Sequence, residues 1–558
     1  MEVILFFCIV LLFFLLLALK QAWETRRFKR QLRTRLQREY GLCSKREWKS
    51  GEFESVSSYY RHRSRGEEED HIFIDDLTWQ DLEMDEIYRR MAVTLCSAGD
   101  EYLYYMLRNP LRTKEELKKL EEKLSFPEKE EERRLAIQLL LTDIGRTGRY
   151  SLSEYLRYLE KKEGESNLLH YAALIALAVS LGSMFLHTGA GLLCFFAVVL
   201  FNIMTYFKKK AEIAPLLVSF RYIIRLIKAA KELETKLPEA FAKEREELKK
   251  CIERFRYFDR KTRFLTSTGS EMELLLDYVK MCFHLDLILF NRLLTGLKKN
   301  LKYVWKMMEV IGETDACIAV ASYRRALPFY CLPAFGDGIL QLEQGYHPLI
   351  ERPVLNTIHM ERNVLLTGAN ASGKSTFLKM TALNILLAQT IHTCHAGSYT
   401  GRLYELYTSM SVKDSIREKE SYYMAEVRGL KRILTGAETS ELPVFCLIDE
   451  VLKGTNTIER IAAAAQILKH MHERGITCIA ATHDVELTGI LERCYDHYHF
   501  EERVEDKDVT FSYQLKKGRS ETRNALILLQ NMGYDSGIVE EAQEMAQLFQ
   551  RQGVWKQL

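Results

Sequence analysis

Val364-Leu-Leu-Thr-Gly-Ala-Asn-Ala-Ser-Gly-Lys-Ser-Thr376 joins a short apolar run to a glycine-containing segment. Within it, the spacing G-x-x-x-x-G-K-S runs from Gly368 to Ser375. The apolar residues before this spacing predict a strand, and residues 377–388 predict a helix, which is the context that a phosphate-binding loop requires. The glycines let backbone N–H groups face a phosphate, and the helix N-terminus adds positive potential. We therefore expect this phosphate loop (residues 368–375) to bind a nucleoside triphosphate.

Four residues of the phosphate loop have expected roles. Gly368 and Gly373 would let the backbone curl around the phosphates. Lys374 would reach the β- and γ-phosphates, and the Ser375 hydroxyl would ligate Mg²⁺. The alternative is a chance glycine-rich turn, which the flanking strand and helix argue against. ATP and Mg²⁺ are therefore the predicted cofactors.

A pair of carboxylates follows a second buried strand. Residues 444–448 are apolar, and Asp449 and Glu450 come directly after them. Asp449 would hold Mg²⁺, mostly through water, while Glu450 would polarise the attacking water and accept its proton. An apolar strand ending in two carboxylates is a weak signal alone, but here Asp449 lies 75 residues after Lys374. The combination predicts an ATPase.

A histidine ends a third apolar strand. Residues 478–482 are followed by His483, whose side chain could donate to the γ-phosphate or to the attacking water. The alternative is a histidine in a surface loop without a catalytic role. The two earlier motifs favour the catalytic interpretation.

Two further segments are expected to act on a second subunit. Ser421 is a candidate N-cap of a helix, the signature helix, whose N-terminus could face a phosphate. A loop that contains Thr455 follows the acidic pair. In strand–helix ATPases of this kind, the signature helix lies far from the phosphate loop of its own chain. We therefore predict a homodimer with two composite sites, to which Ser421 and Thr455 contribute in trans.

Composition limits the class of protein. A chain of 558 residues is too long for one core, so several folding units are expected. The net charge of +3 gives no overall basic field that would indicate nucleic acid. Twelve cysteines without a C-x-x-C pair indicate reduced thiols rather than a disulfide framework. The stretch His392-Thr-Cys-His395 resembles a set of metal ligands, but one short cluster does not predict a metal centre.

The first apolar run predicts a membrane anchor. Residues 3–19 are continuously apolar, which is just long enough to span a bilayer. The basic residues follow this run instead of preceding it, so a cleaved signal peptide is not expected. By the positive-inside rule, the N-terminus lies outside and the following chain lies in the cytoplasm.

A second apolar region predicts a transmembrane hairpin. Residues 168–186 and 188–207 are apolar runs separated by His187 and a turn at Gly189-Ala-Gly191. Lysines flank both ends of the region, which would place both ends in the cytoplasm. The alternative is a buried core hairpin, although soluble helices of this length normally carry a polar stripe. The predicted location is the cell membrane, multi-pass, with the ATPase region in the cytoplasm.

The predicted fold class is α+β multidomain, with about three transmembrane helices and a C-terminal P-loop α/β ATPase region after an α-helical core and lever. The predicted divisions are a transmembrane anchor (1–19), a basic juxtamembrane segment and loop (20–71), a first segment of the helical core (72–166), a transmembrane hairpin (167–207), a second segment of the helical core with the lever (208–334) and the ATPase domain (335–558).

These motifs resemble the MutS ATPases of DNA mismatch repair. Residues 368–376 are similar to that family's phosphate loop, in which Asn370 would face the nucleotide phosphates and Thr376 would also bind nucleotide. Residues 447–450 with Gly454-Thr455 resemble its acidic strand and the following loop. Residues 481–487 resemble its histidine segment. The resemblance is specific over about 310–545 and faint over 73–330.

The chain departs from mismatch-recognising MutS proteins in several places, one of which is the predicted membrane hairpin within the helical core. No domain with their Phe-x-Glu wedge fits before Ile72. The segment around Val354, where the family places an aromatic residue against adenine, offers none. Tyr422 and Tyr423 follow Ser421 where the family usually has Thr-Phe. The resemblance therefore supports the phosphate chemistry more than it supports mismatch recognition.

Two classes of function remain open at this point. The first is a membrane-anchored MutS-like ATPase linked to DNA binding or repair, with DNA as a candidate partner. For it, a basic stripe on the helices would be needed, and the candidates are Lys298, Lys299, Lys302 and Lys306, although a solvated helix face is the simpler interpretation. The second is a membrane ATPase that remodels a protein or lipid partner without contacting DNA. A transporter ranks last, because no Leu-Ser-Gly-Gly signature is present.

Overall fold

The computed structural model describes residues 2–48, 51–65, 73–148, 151–161, 166–256, 279–369, 372–410, 422–453, 456–505, 508–519, 526, 529, 533–553 and 555. The chain divides into two compact units. The first comprises Met1–Glu69, Arg90–Tyr105 and Glu121–Ala326, and the second comprises Asp70–Arg89, Met106–Leu120 and Leu327–Leu558. A helical N-terminal region precedes a C-terminal sheet region, which confirms the mixed α and β multidomain class.

The region of the chain before residue 327 is helical. Its helices are α1 Glu2–Glu39, α2 Glu52–Val56, α3 Ser58–Arg63, α4 Asp76–Asp81, α5 Met84–Met91, α6 Ser97–Arg108, α7 Lys114–Lys129, α8 Glu131–Ile144, α9 Leu152–Lys161, α10 Leu168–Ser183, α11 Thr188–Glu234, α12 Ala242–Arg254, α13 Leu285–Lys298 and α14 Leu301–Ala326.

Helix α1 joins the predicted anchor to the basic segment without a break. Its C-terminal half is packed, because Leu32 and Leu36 form an apolar cluster with Leu135 of α8. Arg33 adds an ion pair to Glu132, with its guanidinium 2.5 Å from the carboxylate. The anchor prediction for residues 1–19 stays a prediction.

The predicted hairpin forms two helices, α10 and α11. Among the described residues, one helical segment, Thr188–Ile213, is long and apolar enough to cross a membrane, and most of it is exposed. Helix α10 is also apolar, but it is shorter, with 16 residues. Helix α11 then continues through the three lysines to Glu234, so the predicted boundary at residue 207 is not a break in the helix.

The turn between these helices was predicted at the wrong residues. It lies at 184–187, while Gly189 and Gly191 belong to the first turn of α11. A Cβ atom on Gly191 would lie 2.6 Å from the backbone of Met184. Gly191 therefore allows the two helix ends to approach closely. In a sequence, a glycine needed for close packing cannot be told from a glycine needed for a turn.

Two buried carboxyl groups hold helix starts in the first unit. Asp315 of α14 accepts hydrogen bonds from the backbone N–H groups of Leu95 and Cys96, at 2.8 and 3.0 Å. Glu101 of α6 accepts one from the Leu152 N–H at 2.7 Å, at the start of α9. Burial raises the pKa of Asp315 to about 7 and that of Glu101 to about 8. These carboxyl groups therefore make the stability of the unit sensitive to pH.

The second unit contains two sheets and the C-terminal helices. Its strands are β1 Ala334–Phe335, β2 Leu340–Gly345, β3 Asn356–Met360, β4 Asn363–Thr367, β5 Ser398–Gly401, β6 Glu405–Ser409, β7 Val444–Asp449, β8 Thr477–Ala481, β9 Tyr495–Glu505 and β10 Asp508–Lys517. Its later helices are α15 Lys374–Thr390, α16 Tyr422–Thr439, α17 Thr457–Glu473, α18 Glu486–Ile490 and α19 Ser536–Gln552.

The larger sheet has the strand order β10-β9-β4-β8-β7-β6. The five strands from β9 to β6 pair in parallel, and β10 adds an antiparallel edge. The smaller sheet has the order β1-β5-β2-β3. Strands β4, β7 and β8 are buried almost throughout, as their continuous apolar sequences predict.

The second unit also contains a piece of the predicted helical core. Residues 70–89 and 106–120 group with the sheets, although the sequence assigned them largely to the first segment of the helical core (72–166). The reason is local packing, because α4 contacts strand β6 along its outer edge. The sequence carries no signal for such a contact between residues some 330 positions apart.

Glu101→Gln should reduce the pH dependence of stability. The folded-state pKa of Glu101, about 8, lies above its ordinary value of 4.5, so its contribution to the free energy of unfolding is complete below pH 4.5 and is lost as pH rises through about 8. The wild-type melting temperature should therefore fall between about pH 4.5 and pH 8 and level off above that range, and that of the variant should fall less. Glu115→Gln, on the exposed face of α7, is the matched control. An unchanged decline in the Glu101 variant would contradict this assignment.

Candidate nucleotide-binding site

The predicted functional residues lie at one edge of the larger sheet. Strand β8 pairs in parallel with β4 on one side and with β7 on the other. In this register Ala481 lies beside both Leu366 and Asp449. The carboxyl ends of the three strands therefore meet, and each is followed by one of the predicted motifs. Ligands of open parallel sheets bind at this position.

The backbone of the phosphate loop needs its glycines. Gly368 and Gly373 have φ of 146° and 105°, which residues with a side chain rarely adopt. A Cβ atom on Gly373 would also lie 3.1 Å from the Cδ1 atom of Tyr513. Gly373 precedes the first residue of α15, so the loop ends at a helix N-terminus, as predicted.

Lys374 is folded back into its own loop. Its side chain is buried, and its Nζ donates to the carbonyl oxygens of Gly368 and Ala369 at 2.7 and 2.8 Å. The same Nζ lies 3.3 Å from Nε2 of His483. The loop therefore holds a cation at its centre, where an anionic group would meet it.

Ser372 belongs to the phosphate loop but was not among the predicted site residues. Its side chain is buried, and its hydroxyl has no hydrogen-bond partner among the residues that the structure describes. A buried hydroxyl without a partner is costly unless a ligand or water supplies one. Its position inside the G-x-x-x-x-G-K-S spacing was the only signal for it.

Glu450 and His483 are in direct contact. Oε1 of Glu450 lies 2.8 Å from Nε2 of His483, and Oε2 lies 2.9 Å from Nζ of Lys453. Nε2 of His483 is closer to Glu450, at 2.8 Å, than to Lys374, at 3.3 Å. We therefore assign a proton to Nε2, which His483 donates to Glu450. The hydrogen bond from His483, with a second from Lys453, lowers the pKa of Glu450 to about 2 although burial raises it. The carboxylate is therefore ionised and held by two donors.

The turn after β7 is strained. Glu450 and Leu452 have φ of 66° and 58°, in the left-handed region. Such conformations cost of order 1–3 kcal/mol each in residues other than glycine and persist where the surroundings enforce them. Val451 and Leu452 are buried in the core of the unit, which fixes the turn and with it the position of Glu450.

Residues from all three strand ends line one cavity of about 380 Å³. Ligand sites for small molecules commonly measure about 300–1,000 Å³. The cavity brings together most of the predicted site residues, namely Gly373, Lys374, Ser375, Thr376, Asp449, Glu450 and His483. Asn370, Ser421 and Thr455 lie outside the described residues.

The exposed aromatic side chain of Tyr513, on strand β10, also lines the cavity. Strand β10 is irregular between Phe511 and Leu515, and Tyr513 has a φ of 51°. The Asn356 amide holds this bulge, donating to the Tyr513 carbonyl at 3.0 Å and accepting from the Leu515 N–H at 2.8 Å. Tyr513 is 45% exposed and lines the cavity together with Val354. A bulge is not predictable from this sequence, so Tyr513 was missed.

No group of three or more His, Cys, Asp or Glu side chains able to hold a metal ion occurs in the described residues of the chain. His395 is fully buried and His392 stacks on Phe335 at 6.4 Å between ring centroids, so both are packed in the structure. Ser375 and Asp449 both line the cavity and offer oxygen atoms, the ligand type that Mg²⁺ prefers.

Comparison with known proteins identifies this region. The family profile described as MutS domain V matches residues 364–550. Over these residues, a third of the chain, the sequence matches the MutS family. The chain is similar to the DNA mismatch repair protein MutS of Bacillus licheniformis, with 27% identity over 296 residues, which cover 50% of this chain and 33% of that protein.

Other members of the MutS family show the same level of similarity. The DNA mismatch repair protein MutS of Thermus aquaticus is 30% identical over 256 residues, covering 45% of this chain and 31% of that protein. MutS protein homolog 4 of Mus musculus is 29% identical over 295 residues, covering 48% and 30%. The chain thus spans about a third of the length of these curated relatives.

Proposed function

We propose that this protein is a membrane-anchored, MutS-like ATPase that binds and hydrolyses ATP in a homodimer with composite sites, in a task linked to DNA. One observation carries the proposal. Lys374, Asp449, Glu450 and His483 come from three different strand ends and line a single cavity. The match to the MutS family over residues 364–550 supports it.

The phosphate loop fits a triphosphate. The Lys374 ammonium would exchange its contacts with the loop carbonyls for the β- and γ-phosphate oxygens, which are stronger acceptors. The buried Ser372 hydroxyl would donate to the same phosphates and so gain the partner that it lacks among the described residues. The N-terminus of α15 adds backbone donors and positive potential.

Ser375 and Asp449 would hold Mg²⁺ at the phosphates. The ion would supply neutralisation of the negative charge that develops during phosphoryl transfer. Both residues lie on the cavity wall, and Ser375 is exposed. Their hydroxyl and carboxylate oxygens suit this ion.

Glu450 and His483 would carry out the hydrolytic step. The water oxygen forms a bond to the γ-phosphorus, the bond from that phosphorus to the bridging oxygen breaks, and the water proton passes to Glu450. His483 would donate to the γ-phosphate. Glu450 is bound to His483 and Lys453 in this structure, and both donors would turn to the triphosphate when it binds, which leaves Glu450 to receive the proton.

Tyr513 is the residue that we assign to the adenine. It offers an exposed ring on the cavity wall, whereas Val354 provides only an aliphatic surface. A base can stack on any aromatic face, and stacking contributes about 1–3 kcal/mol per base. The aromatic contact that is missing around Val354 would thus come from β10.

The dimer and the DNA-linked task rest on the family. Ser421 and Thr455 would complete the site of the partner, as the signature segments of such ATPases do. Two of the relatives are named as DNA mismatch repair proteins, which supports DNA as the partner. Of the candidate basic stripe, Lys306 forms ion pairs with Glu247 and Glu309 at 3.0 and 3.1 Å, so its charge is already compensated.

Exposed apolar surface in the helical unit favours a second candidate function. Thr188–Ile213 could cross a membrane, and the preceding turn exposes Phe185 and Leu186 by 91% and 81%. Such large exposed apolar areas mark contact with a membrane or partner. The second candidate is a membrane ATPase that remodels a protein or lipid partner without touching DNA. In both cases we place the protein in the cell membrane, multi-pass, with the ATPase unit in the cytoplasm.

Lys374→Ala should impair ATP binding, whereas Glu450→Gln should impair ATP hydrolysis. Loss of the ammonium removes charge-assisted bonds to the phosphates and should weaken ATP binding by about a hundredfold or more. Glu450→Gln should bind ATP normally but hydrolyse it at about a hundredth of the wild-type rate or less, because an amide cannot accept the proton. Equilibrium binding and turnover of the detergent-purified protein measure both. Retained turnover in Glu450→Gln would refute its role as the base.

The same turnover assay tests the DNA-linked task. It is run with homoduplex, mismatched and branched DNA over a salt series, with Lys374→Ala as the blank. We expect DNA to stimulate ATP turnover. This stimulation should weaken steeply as the salt concentration rises, because contacts with DNA phosphates release counterions. A rate of ATP hydrolysis that none of these DNA molecules changes would favour a protein or lipid partner instead.

Tyr513→Ala should weaken ATP binding by about 5- to 100-fold, whereas Tyr513→Phe should stay within about threefold of the wild type, since stacking needs only the ring. The affinity for inorganic triphosphate, which has no base, should be the same in all three proteins. Equal losses for ATP and triphosphate would show that Tyr513 acts on the loop through Gly373 rather than on the base.

A further inference from the structure

Helix α4 closes the outer edge of the larger sheet. Among the described residues, strand β6 is the last strand on that side, and no other strand of that part of the chain binds its outward N–H groups. The Thr408 N–H donates to Oγ1 of Thr78 at 3.3 Å, and the Met410 N–H donates to Oδ2 of Asp81 at 3.0 Å. The Thr408 hydroxyl donates to the same Asp81 oxygen at 2.7 Å. Side chains of α4 thus take the place of a further strand.

A second carboxylate at the other end of α4 binds the signature helix α16. Arg432 of α16 donates to Oδ1 of Asp75 at 2.5 Å and also donates to the Thr408 carbonyl oxygen. The Asp75 side chain caps α4 as well, accepting from the Thr78 N–H at 2.8 Å. One guanidinium therefore links α4, β6 and α16.

Helix α4 is itself firmly placed. Trp79 and Leu82 are buried, and the Trp79 indole N–H donates to Asp85 at 2.7 Å. The guanidinium of Arg108 lies over the Trp79 ring, 4.2 Å from its centroid. Two carboxylates carried by such an anchored element can fix what they bind.

We propose that α4 positions the signature helix, so that Asp75 and Asp81 are positioning residues for the portion of the site that each subunit offers to its partner. The proposal rests on the composite-site dimer proposed above. Asp81 holds the end of β6 at Met410, and Asp75 holds α16 through Arg432. Loss of either carboxylate lets α16 shift against the sheet, while the phosphate loop on α15 keeps its geometry.

The first test compares binding with turnover. Asp81→Ala should lower kcat by about tenfold, since misplacing catalytic groups slows the reaction, while the Kd for ATP changes by less than about twofold. Arg432→Met should have the same effect, and Arg432→Lys should restore some of the rate. Glu86→Ala is the matched control, because Glu86 pairs with Arg89 on the surface of α5 and should behave as wild type. A parallel loss of ATP binding in Asp81→Ala would overturn the proposal.

The second test asks which subunit carries the defect. Asp81→Ala and Lys374→Ala proteins are mixed and allowed to exchange subunits. In a mixed dimer, the Asp81 variant supplies an intact phosphate loop and the Lys374 variant supplies an intact α4 and signature helix. About a quarter of the wild-type rate should return, because half of the dimers are mixed and each has one complete site. A mixture no more active than its Asp81→Ala component would overturn the proposal.

The third test needs no ATPase activity and separates the proposal from the function on which it rests. In hydrogen exchange, Asp81→Ala should speed exchange at Met410 and in the first two turns of α16, but not in α15. Unchanged exchange in α16 would overturn the role of α4 even if the enzyme turns over ATP. Failure of a Lys374→Ala and Ser421→Glu mixture to regain activity would instead count against the composite-site dimer.

Discussion

The parallel pairing of β8 between β4 and β7 is the constraint on which the site depends. Each of these buried strands ends in a motif, and only this order brings the phosphate loop, the Asp449-Glu450 pair and His483 to one edge. The apolar sequences of the three strands enforce burial on both faces. Residues that lie up to about 110 positions apart in the sequence therefore line a single cavity.

The charges of the site satisfy one another in this structure. Lys374 binds its own loop, and Glu450 is bound to His483 and Lys453. A triphosphate would compete for all three donors at once, which would free the Glu450 carboxylate at the moment when a substrate is present. The strained turn at Glu450 and Leu452 keeps that carboxylate at the strand end. Binding of the triphosphate would therefore itself activate the site.

The sequence was sufficient where the position of a residue in the fold depends on local order along the chain. The phosphate loop, Asp449, Glu450 and His483 could be predicted because each follows an apolar strand directly. Tyr513 could not, because its place depends on a bulge held by the distant Asn356. The contacts of α4 with β6 likewise join residues about 330 positions apart. Gly191 was misread because a glycine for close helix packing looks like a glycine for a turn. Long-range pairing and close approach leave little trace in a single sequence.

The most direct test of the central claim is the affinity of the wild-type protein for ATP, ADP and AMP with Mg²⁺, measured by titration calorimetry. If the Lys374 loop is a phosphate cradle, affinity should depend on the β- and γ-phosphates, with AMP binding about a hundredfold or more weaker than ATP. Inorganic triphosphate should compete with ATP. Equal affinity for AMP and ATP, or no competition by triphosphate, would contradict the claim that this sheet edge is built around the phosphates.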